Sequence, residues 1–296
     1  MRPDLQIRSY DELLAEYART ATEPGCEPVF LGFGSLDAEL RGVTPGRVLA
    51  IAGRTSVGKT WLMESVERNV AVNPNRGTLA LSLEMPGAEW AERGLAIHAD
   101  VAPEQVEAWA KQRELGTQSA DFLDRMRHSL VVEDPMRLDD LRPAIQAARE
   151  RLGETPLRIV LLDYAGLLRV TGRDAYDRAS TLARTLKEVA KLERVAVIAA
   201  MQLSREGGDG SQPVTMTMLR DSGVLEESLD MLLGCWRPGK EPNLSPPDAI
   251  ALADVLRVSV LKNRRGKEGR TVDLRFRPES RRLYEEADPF EAAGIA

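Results

Sequence analysis

The octapeptide GRTSVGKT, residues 53–60, constrains the fold more than any other feature of this sequence. It follows the apolar run RVLAIA and precedes a segment with helical character, residues 59–72. The spacing G-x-x-x-x-G-K-[ST] between a strand and a helix is typical of a phosphate-binding loop. Its glycines let successive backbone N–H groups converge on an anion at the positive end of the helix. The sequence therefore predicts an α/β fold with a nucleoside triphosphate site.

The predicted nucleotide-binding residues form the loop itself. We expect Lys59 to reach the β- and γ-phosphates of ATP and the Thr60 hydroxyl to bind Mg²⁺. A glycine-rich turn with an exposed lysine is the alternative, and the strand–loop–helix context argues against it. The full set is Gly53, Arg54, Thr55, Ser56, Val57, Gly58, Lys59 and Thr60.

Apolar runs alternate with helical segments along most of the chain. Residues 78–84, 129–134, 158–163 and 194–200 are such runs, and residues 175–193 read as a helix between two of them. Continuous apolarity indicates strands buried on both faces of a mostly parallel sheet flanked by helices. Near the C-terminus, LDMLLGCWR, VLRVSVLK and RTVDLRF predict consecutive antiparallel strands added at one side of that sheet.

Polar residues at the ends of three predicted strands complete the expected site. Asp163 ends the run RIVLLD, where an aspartate holds Mg²⁺. Glu84 ends LALSLE and is the candidate general base that takes a proton from the attacking water. Gln202 follows VAVIAAM and is placed to sense the γ-phosphate. Because the carboxyl ends of neighbouring parallel strands face one crevice, we expect all three side chains to meet one nucleotide.

Composition indicates the cell compartment and limits the kinds of catalytic or metal site to be expected. The chain has 296 residues, 43% hydrophobic and 29% charged, with a formal net charge of −6. No apolar run approaches the roughly 20 residues of a membrane helix, and the N-terminus does not read as a secretory signal. Two cysteines without CxxC spacing predict a reduced, cytoplasmic protein. With two histidines, neither a His/Cys metal site nor a Cys–His nucleophile is expected.

Three regions follow from these patterns: an N-terminal arm at 1–28, a main domain at 29–285 and an acidic tail at 286–296. In the arm, Ser9 and Glu12 form a capping-box pattern that predicts a helix start. Whether the apolar face of this helix packs on its own domain or on a partner is left open by the sequence. That face comprises Tyr10, Leu13, Leu14 and Tyr17.

The motifs GRTSVGKT, SLEMP, LLDYAGLL, MQLSRE, LRDSGVLEESLDMLL and LKNRRGKEG, in this order, resemble the ATPase domain of DnaB-type replicative DNA helicases. The resemblance covers residues 30–284. It implies a RecA-like P-loop NTPase core, a hexameric ring, ATP hydrolysis between subunits and 5′ to 3′ movement on single-stranded DNA.

The resemblance also implies residue roles. Glu84, Asp163 and Gln202 match the catalytic glutamate, the Mg²⁺ aspartate and the polar sensor. The pore-loop residues that hold the DNA backbone are matched by Arg220, Asp221 and Gly223, where the family usually has Glu at the second position.

The resemblance also offers a role for part of a basic run. Residues 257–282 contain ten Lys and Arg against three Asp and Glu. A nucleic-acid patch and a solvated face are two interpretations of such a run. By resemblance, Lys262 and Arg264 instead match a pair of cations that reaches the ATP of the adjacent subunit, and their i, i+2 spacing puts both on one face of a strand.

Two departures from the family pattern leave alternatives open. Such helicases usually carry an N-terminal helical domain that meets primase, whereas about thirty residues precede the core here, so ring formation is expected and primase contact is not. A helicase loader or another replication protein stays an open partner. The segment 204–223 has only Arg205 and Arg220 as cations and no aromatic residue. The alternative is therefore a RecA/RadA-like DNA-dependent ATPase without helicase activity, or a nucleotide-gated scaffold.

Overall fold

The computed structural model describes residues 8–22, 26–203, 209–218 and 228–286. In these residues nine strands form one sheet. The strands are β1 (Val48–Gly53), β2 (Gly77–Ser82), β3 (Ser129–Val132), β4 (Leu157–Asp163), β5 (Ala196–Gln202), β6 (Met231–Trp236), β7 (Val255–Asn263), β8 (Thr271–Phe276) and β9 (Leu283–Tyr284). Their order across the sheet is β3-β2-β4-β5-β1-β6-β7-β8-β9.

The sheet is mostly parallel, as predicted, but one strand differs from the expectation. Strands β1 to β6 all run in the same direction, and β7, β8 and β9 each pair antiparallel with the preceding strand. The run LDMLLGCWR was expected to be antiparallel, and that prediction was wrong, because β6 pairs parallel with β1. About thirty residues separate β5 from β6, which is long enough for the crossover that parallel pairing requires.

Burial along the strands explains their sequences. Every residue of β1, β2, β4 and β6 is buried, in agreement with their continuous apolarity. In β1, Leu49 and Ile51 enter one core layer, while Ala50 and Ala52 enter the other. Strand β8 instead alternates buried and exposed residues, because one of its faces meets solvent.

Helices cover both faces of the sheet. The helices among the described residues are α1 (Tyr10–Thr22), α2 (Gly34–Leu40), α3 (Lys59–Ala71), α4 (Gly87–Ala99), α5 (Pro103–Lys111), α6 (Leu115–Gln118), α7 (Ala120–Arg125), α8 (Leu141–Leu152), α9 (Ala175–Glu193) and α10 (Pro246–Leu252). Apolar residues of α2, α3 and α4 pack into one core layer, and those of α8 and α9 into the other. This is the doubly covered α/β architecture that the alternating pattern predicts.

Helix α1 begins as its sequence predicts. Ser9 N–H donates to Glu12 Oε2 at 2.7 Å, and Glu12 N–H donates to Ser9 Oγ at 3.2 Å, which is the reciprocal capping box. The apolar face of the helix is exposed, with Tyr10 at 85%, Leu14 at 63% and Tyr17 at 66%. In the part of the chain that is described, no helix has both the length and the apolarity to cross a membrane.

A candidate nucleotide-binding site at the carboxyl end of the sheet

The phosphate-binding loop turns directly from β1 into α3, and two glycines make that turn feasible. Gly58 has φ 117°, and a Cβ there would lie 2.6 Å from Cζ of Phe276. A Cβ on Gly53 would lie 2.8 Å from the carbonyl oxygen of Cys235 in β6. Larger residues at either position would therefore push the loop away from the strands that support it.

Lys59 is the first residue of α3 and bends back over the loop. Its Nζ donates to the carbonyl oxygens of Gly53 at 3.0 Å and Arg54 at 2.9 Å. Burial lowers the pKa of this ammonium group, while the charges of Asp163 and Glu84 oppose the shift. A partly desolvated cation held inside the loop is suited to bind phosphate oxygens.

Thr60 and Asp163 meet although 103 residues separate them, because α3 begins beside the carboxyl end of β4. The Thr60 hydroxyl donates to Asp163 Oδ2 at 2.6 Å. Burial raises the pKa of the Asp163 carboxyl, and the Thr60 hydrogen bond opposes that rise. A hydroxyl and a carboxylate are oxygen donors of the type that Mg²⁺ prefers.

This donor pair fits Mg²⁺ bound together with a nucleotide better than a protein-only metal cage. Among the described residues no group of three His, Cys, Asp or Glu is arranged to hold a metal. Mg²⁺ is commonly bound through one or two protein oxygens plus substrate phosphates. Thr60 and Asp163 would supply the protein oxygens at the mouth of the loop.

Glu84 and Gln202 line the same cavity as the loop, but their local settings differ from the prediction in detail. Strand β2 ends at Ser82, so Glu84 lies in the turn before α4 and not on the strand. That turn is fixed by a Leu83 N–H donated to the Asp163 carbonyl at 2.9 Å. Gln202, at the end of β5, donates from Nε2 to the Thr55 hydroxyl at 2.6 Å. Four neighbouring parallel strands thus deliver the loop, Asp163, Glu84 and Gln202 to one place.

These residues surround a cavity of about 840 Å³. Several other side chains on its wall were not expected from the sequence. They are Trp61, Met85, Glu89, Arg93, Tyr164, Arg237, Lys240, Phe276 and Arg281.

Arg237 and Phe276 form the side of the cavity opposite Asp163. Asp163 ends β4, whereas Arg237 follows β6 and Phe276 ends β8, several strands away in the sheet. The Arg237 guanidinium lies 4.7 Å from the Phe276 ring centroid. Strand β8 reverses direction twice relative to β6, so its last residue returns to the carboxyl end, beside Gly58. Two reversals counted from β6 locate Phe276 only when β6 is known to run parallel to β1, and the sequence analysis had that direction wrong.

Two buried glutamates on α3 also escaped the sequence reasoning. Glu67 accepts hydrogen bonds from Thr78 Oγ1 and Trp90 Nε1, both at 2.8 Å. The carboxyl oxygens of Glu64 have no hydrogen-bond partner among the residues that the structure describes. Burial raises the pKa of Glu64 well above its usual range, although Arg93 opposes the shift.

The cations Lys262 and Arg264 lie far from this cavity. Strand β7 runs antiparallel to β6, so its final residues pair with the first residues of β6, including Lys262 with Leu232. Val258 is level with Cys235 and hence with Gly53 of the loop. Six residues separate Val258 from Arg264, which amounts to about 20 Å at the rise of an extended strand. The backbone N–H of Arg264 donates to the Asp230 carbonyl at 3.1 Å, at the amino end of the parallel strands.

The predicted DNA-contacting residues Arg220, Asp221 and Gly223 lie outside the described residues. Arg205 also lies outside them, as does the acidic tail beyond Glu286.

The fold and the site together define a P-loop nucleotide-binding domain of the α/β class. A family model described as the DnaB-like helicase C terminal domain matches residues 29–285. The chain belongs to this family, which confirms the resemblance indicated by the order of its motifs.

Relatives and solved structures support that assignment. The chain is 29% identical over 273 residues to the replicative DNA helicase DnaB of Pasteurella multocida, covering 88% of this chain and 56% of that protein. It is 26% identical over 304 residues to the replicative DNA helicase DnaB of Geobacillus stearothermophilus, covering 99% of this chain and 63% of that protein. The chain thus spans less than two thirds of the length of these relatives.

Two solved structures share the fold. A structure described as an ATPase domain matches with a TM-score of 0.80 at 24% identity, covering 95% of this chain and 100% of that one. A DnaB-like replicative helicase described with its primase interactions matches with a TM-score of 0.78 at 23% identity, covering 95% of this chain and 68% of that one. The RecA-like, mostly parallel sheet predicted from the sequence is confirmed by these neighbours.

Proposed function

We propose that this chain is an ATP hydrolase that assembles into a ring, translocates 5′ to 3′ on single-stranded DNA and unwinds duplex DNA. One observation carries the proposal. The phosphate loop lies at the carboxyl end of the sheet, whereas Lys262 and Arg264 lie toward its amino end, about 13 and 20 Å away along the strand direction. A site that needs both sets must therefore form between two copies of the chain.

The geometry of the cavity supports the proposed hydrolytic roles. The loop amides and Lys59 bind the phosphates, and the Thr60 and Asp163 oxygens hold Mg²⁺. When bound, Mg²⁺ offsets charge on the phosphate oxygens. Glu84 takes the proton of the attacking water, and Gln202, next to Thr55, donates from its amide toward the γ-phosphate. We propose that Phe276 and Arg237, which pack on each other in the cavity wall, offer a surface for the base of the nucleotide.

The neighbouring subunit completes the site in this proposal. Its Lys262 and Arg264 compensate the charge that develops on the γ-phosphate in the transition state. The exposed apolar face of α1 provides a second contact between subunits, because burying its tyrosines and leucines on an adjacent copy removes apolar surface from water. We propose a hexamer, in keeping with the family resemblance.

DNA contact is assigned to the segment that carries Arg220, Asp221 and Gly223. We propose that it faces the centre of the ring and holds the DNA backbone. Because cations are few in this segment, we expect modest and salt-sensitive binding. We also propose a cytoplasmic location and contact with a helicase loader or another replication protein.

Strand displacement on a forked DNA substrate tests the function. With ATP and Mg²⁺, the chain should release the labelled strand from a fork with a free 5′ tail and not from one with only a 3′ tail. The variant Glu84→Gln should bind ATP but neither hydrolyse it at a normal rate nor unwind. DNA-stimulated hydrolysis without strand release would instead support the alternative of a RecA/RadA-like ATPase.

A further inference from the structure

A buried carboxylate connects the helix that begins with Lys59 and Thr60 to the segment that carries Glu84. Glu67 lies on α3, eight residues after Lys59, and is 2% exposed. Its Oε1 accepts from the Thr78 hydroxyl and its Oε2 from the Trp90 indole N–H, each at 2.8 Å. Both donors are buried as well. Each oxygen of Glu67 therefore has a donor in the buried contact between α3, β2 and α4.

The two donors flank Glu84 symmetrically in the chain. Thr78, in β2, lies six residues before Glu84, and Trp90, in α4, lies six residues after it. Glu67 of α3 is thus hydrogen-bonded both to the strand before the Glu84 turn and to the helix after it. Helix α3 itself begins with Lys59 and Thr60. These two hydrogen bonds therefore connect the phosphate-binding residues to the segment that carries the general base Glu84.

We infer that Glu67 is a positioning residue that fixes the β2–turn–α4 unit, and hence Glu84, relative to Lys59 and Thr60. The inference rests on the proposed role of Glu84 as general base.

The energetics favour a positioning role over simple core filling. Burial raises the pKa of Glu67, and the two hydrogen bonds oppose that rise, so the charge is costly to keep here. Buried polar groups of this kind can often be replaced by well-packed apolar ones without loss of stability. What an apolar replacement cannot supply is the directional restraint of two hydrogen bonds, and a misplacement of about 1 Å can lower a rate about 100-fold.

Three variants separate positioning from packing. Glu67→Met removes both acceptors, whereas Glu67→Gln keeps an acceptor for Trp90 and a donor for the Thr78 oxygen. The triple variant Glu67→Met, Thr78→Val, Trp90→Phe replaces the whole polar contact by apolar groups and leaves no buried donor unsatisfied. Single-turnover ATP hydrolysis, nucleotide affinity and melting temperature are measured for each full-length variant with DNA.

We expect Glu67→Met to lower the hydrolysis rate by about 10- to 100-fold while nucleotide affinity stays within about threefold. Glu67→Gln should restore most of the rate. The triple variant should regain melting temperature relative to Glu67→Met but keep the slow rate. If the triple variant regains both, Glu67 only fills the core and the inference is wrong.

Glu64→Met is a matched control on the same helix. Glu64 is also buried, but its carboxyl oxygens have no hydrogen-bond partner among the described residues. The substitution removes no hydrogen bond, so the hydrolysis rate should stay near that of the unmodified chain. An equal loss of rate in Glu64→Met and Glu67→Met would overturn the specific role of Glu67.

The decisive measurement is a double-mutant cycle with Glu84→Gln. If Glu67 acts through Glu84, Glu67→Met should cause little further loss in the Glu84→Gln background. Multiplying effects would contradict the inference and leave the function of Glu84 intact. A Glu84→Gln variant that hydrolyses ATP normally would instead refute the proposed base, so the two failures are distinguishable.

Discussion

Replacing Arg264 by alanine tests which nucleotide the basic pair at the end of β7 serves. Arg264 lies about 20 Å from the phosphate loop of its own chain along the strand direction. Two unit charges at about 20 Å in water interact by only about 0.2 kcal/mol, and salt weakens this further. At about 4 Å in a partly buried interface the interaction rises to about 4 kcal/mol.

These energies predict very different rates. If Arg264 acted only on the nucleotide of its own chain, Arg264→Ala would slow hydrolysis by less than about twofold. If it contacts the nucleotide of a neighbour, the loss should approach about 1,000-fold. Arg265→Ala is the matched control, because Arg265 donates to the Thr44 hydroxyl of its own chain at 2.9 Å. It should hydrolyse ATP at nearly the normal rate.

Mixing two inactive variants then identifies the chain that supplies each group. Glu84→Gln and Arg264→Ala are combined in equal amounts before assembly, and steady-state ATP hydrolysis is measured with single-stranded DNA. With random head-to-tail assembly, about one interface in four pairs an intact Glu84 with an intact neighbouring Arg264. Activity should return to at most about a quarter of normal, and to less if hydrolysis requires consecutive working sites. A mixture proven to exchange subunits, yet no more active than its components, would refute the trans assignment.

Three further outcomes are expected. Arg220→Ala should weaken single-stranded DNA binding equally across sequences and reduce the slope of log affinity against log salt by about one, measured by titration at several salt concentrations; unchanged affinity would exclude Arg220 from the DNA site. Deleting residues 1–28 should leave a folded domain that assembles poorly, and intact hexamers in sedimentation would contradict an intersubunit role for α1. Gly58→Ala should lower the free energy of unfolding by about 1–3 kcal/mol and weaken ATP binding. The alanine Cβ would lie 2.6 Å from Phe276 Cζ, and the backbone φ of 117° disfavours a side chain. An unchanged melting curve would contradict this interpretation of the loop.

The features that the sequence predicted well are those with a local cause. The phosphate loop, the Ser9–Glu12 capping box and the buried parallel strands each depend on residues that are close together in the chain. Helix α9 has the predicted bounds, Ala175–Glu193; the structure adds its N-terminal cap, because the Asp174 side chain accepts from the Asp177 N–H.

The features that the sequence analysis predicted wrongly or did not find depend on contacts between residues far apart in the chain. The direction of β6 depends on the crossover that precedes it, and apolarity alone is the same for both directions. Glu84 was assigned to a strand end because LALSLE reads as one run, whereas the sheet pairing stops at Ser82. The contact between Glu67 and Trp90 joins two helices, and a glutamate in a helix otherwise reads as a surface residue.

The reversal of direction at β7 has a mechanical consequence for the proposed ring. Strand β7 is paired on both sides, with β6 and β8, so it cannot swing toward its own nucleotide without breaking two ladders of hydrogen bonds. At the amino end of the sheet, the Arg264 backbone is tied to Asp230, whose buried carboxylate accepts from Arg47 and Lys187. The basic pair is therefore fixed on a rigid base. In this proposal, a large change in the distance between these cations and a neighbouring γ-phosphate requires rotation of whole subunits, which would couple hydrolysis to the relative orientation of two adjacent domains.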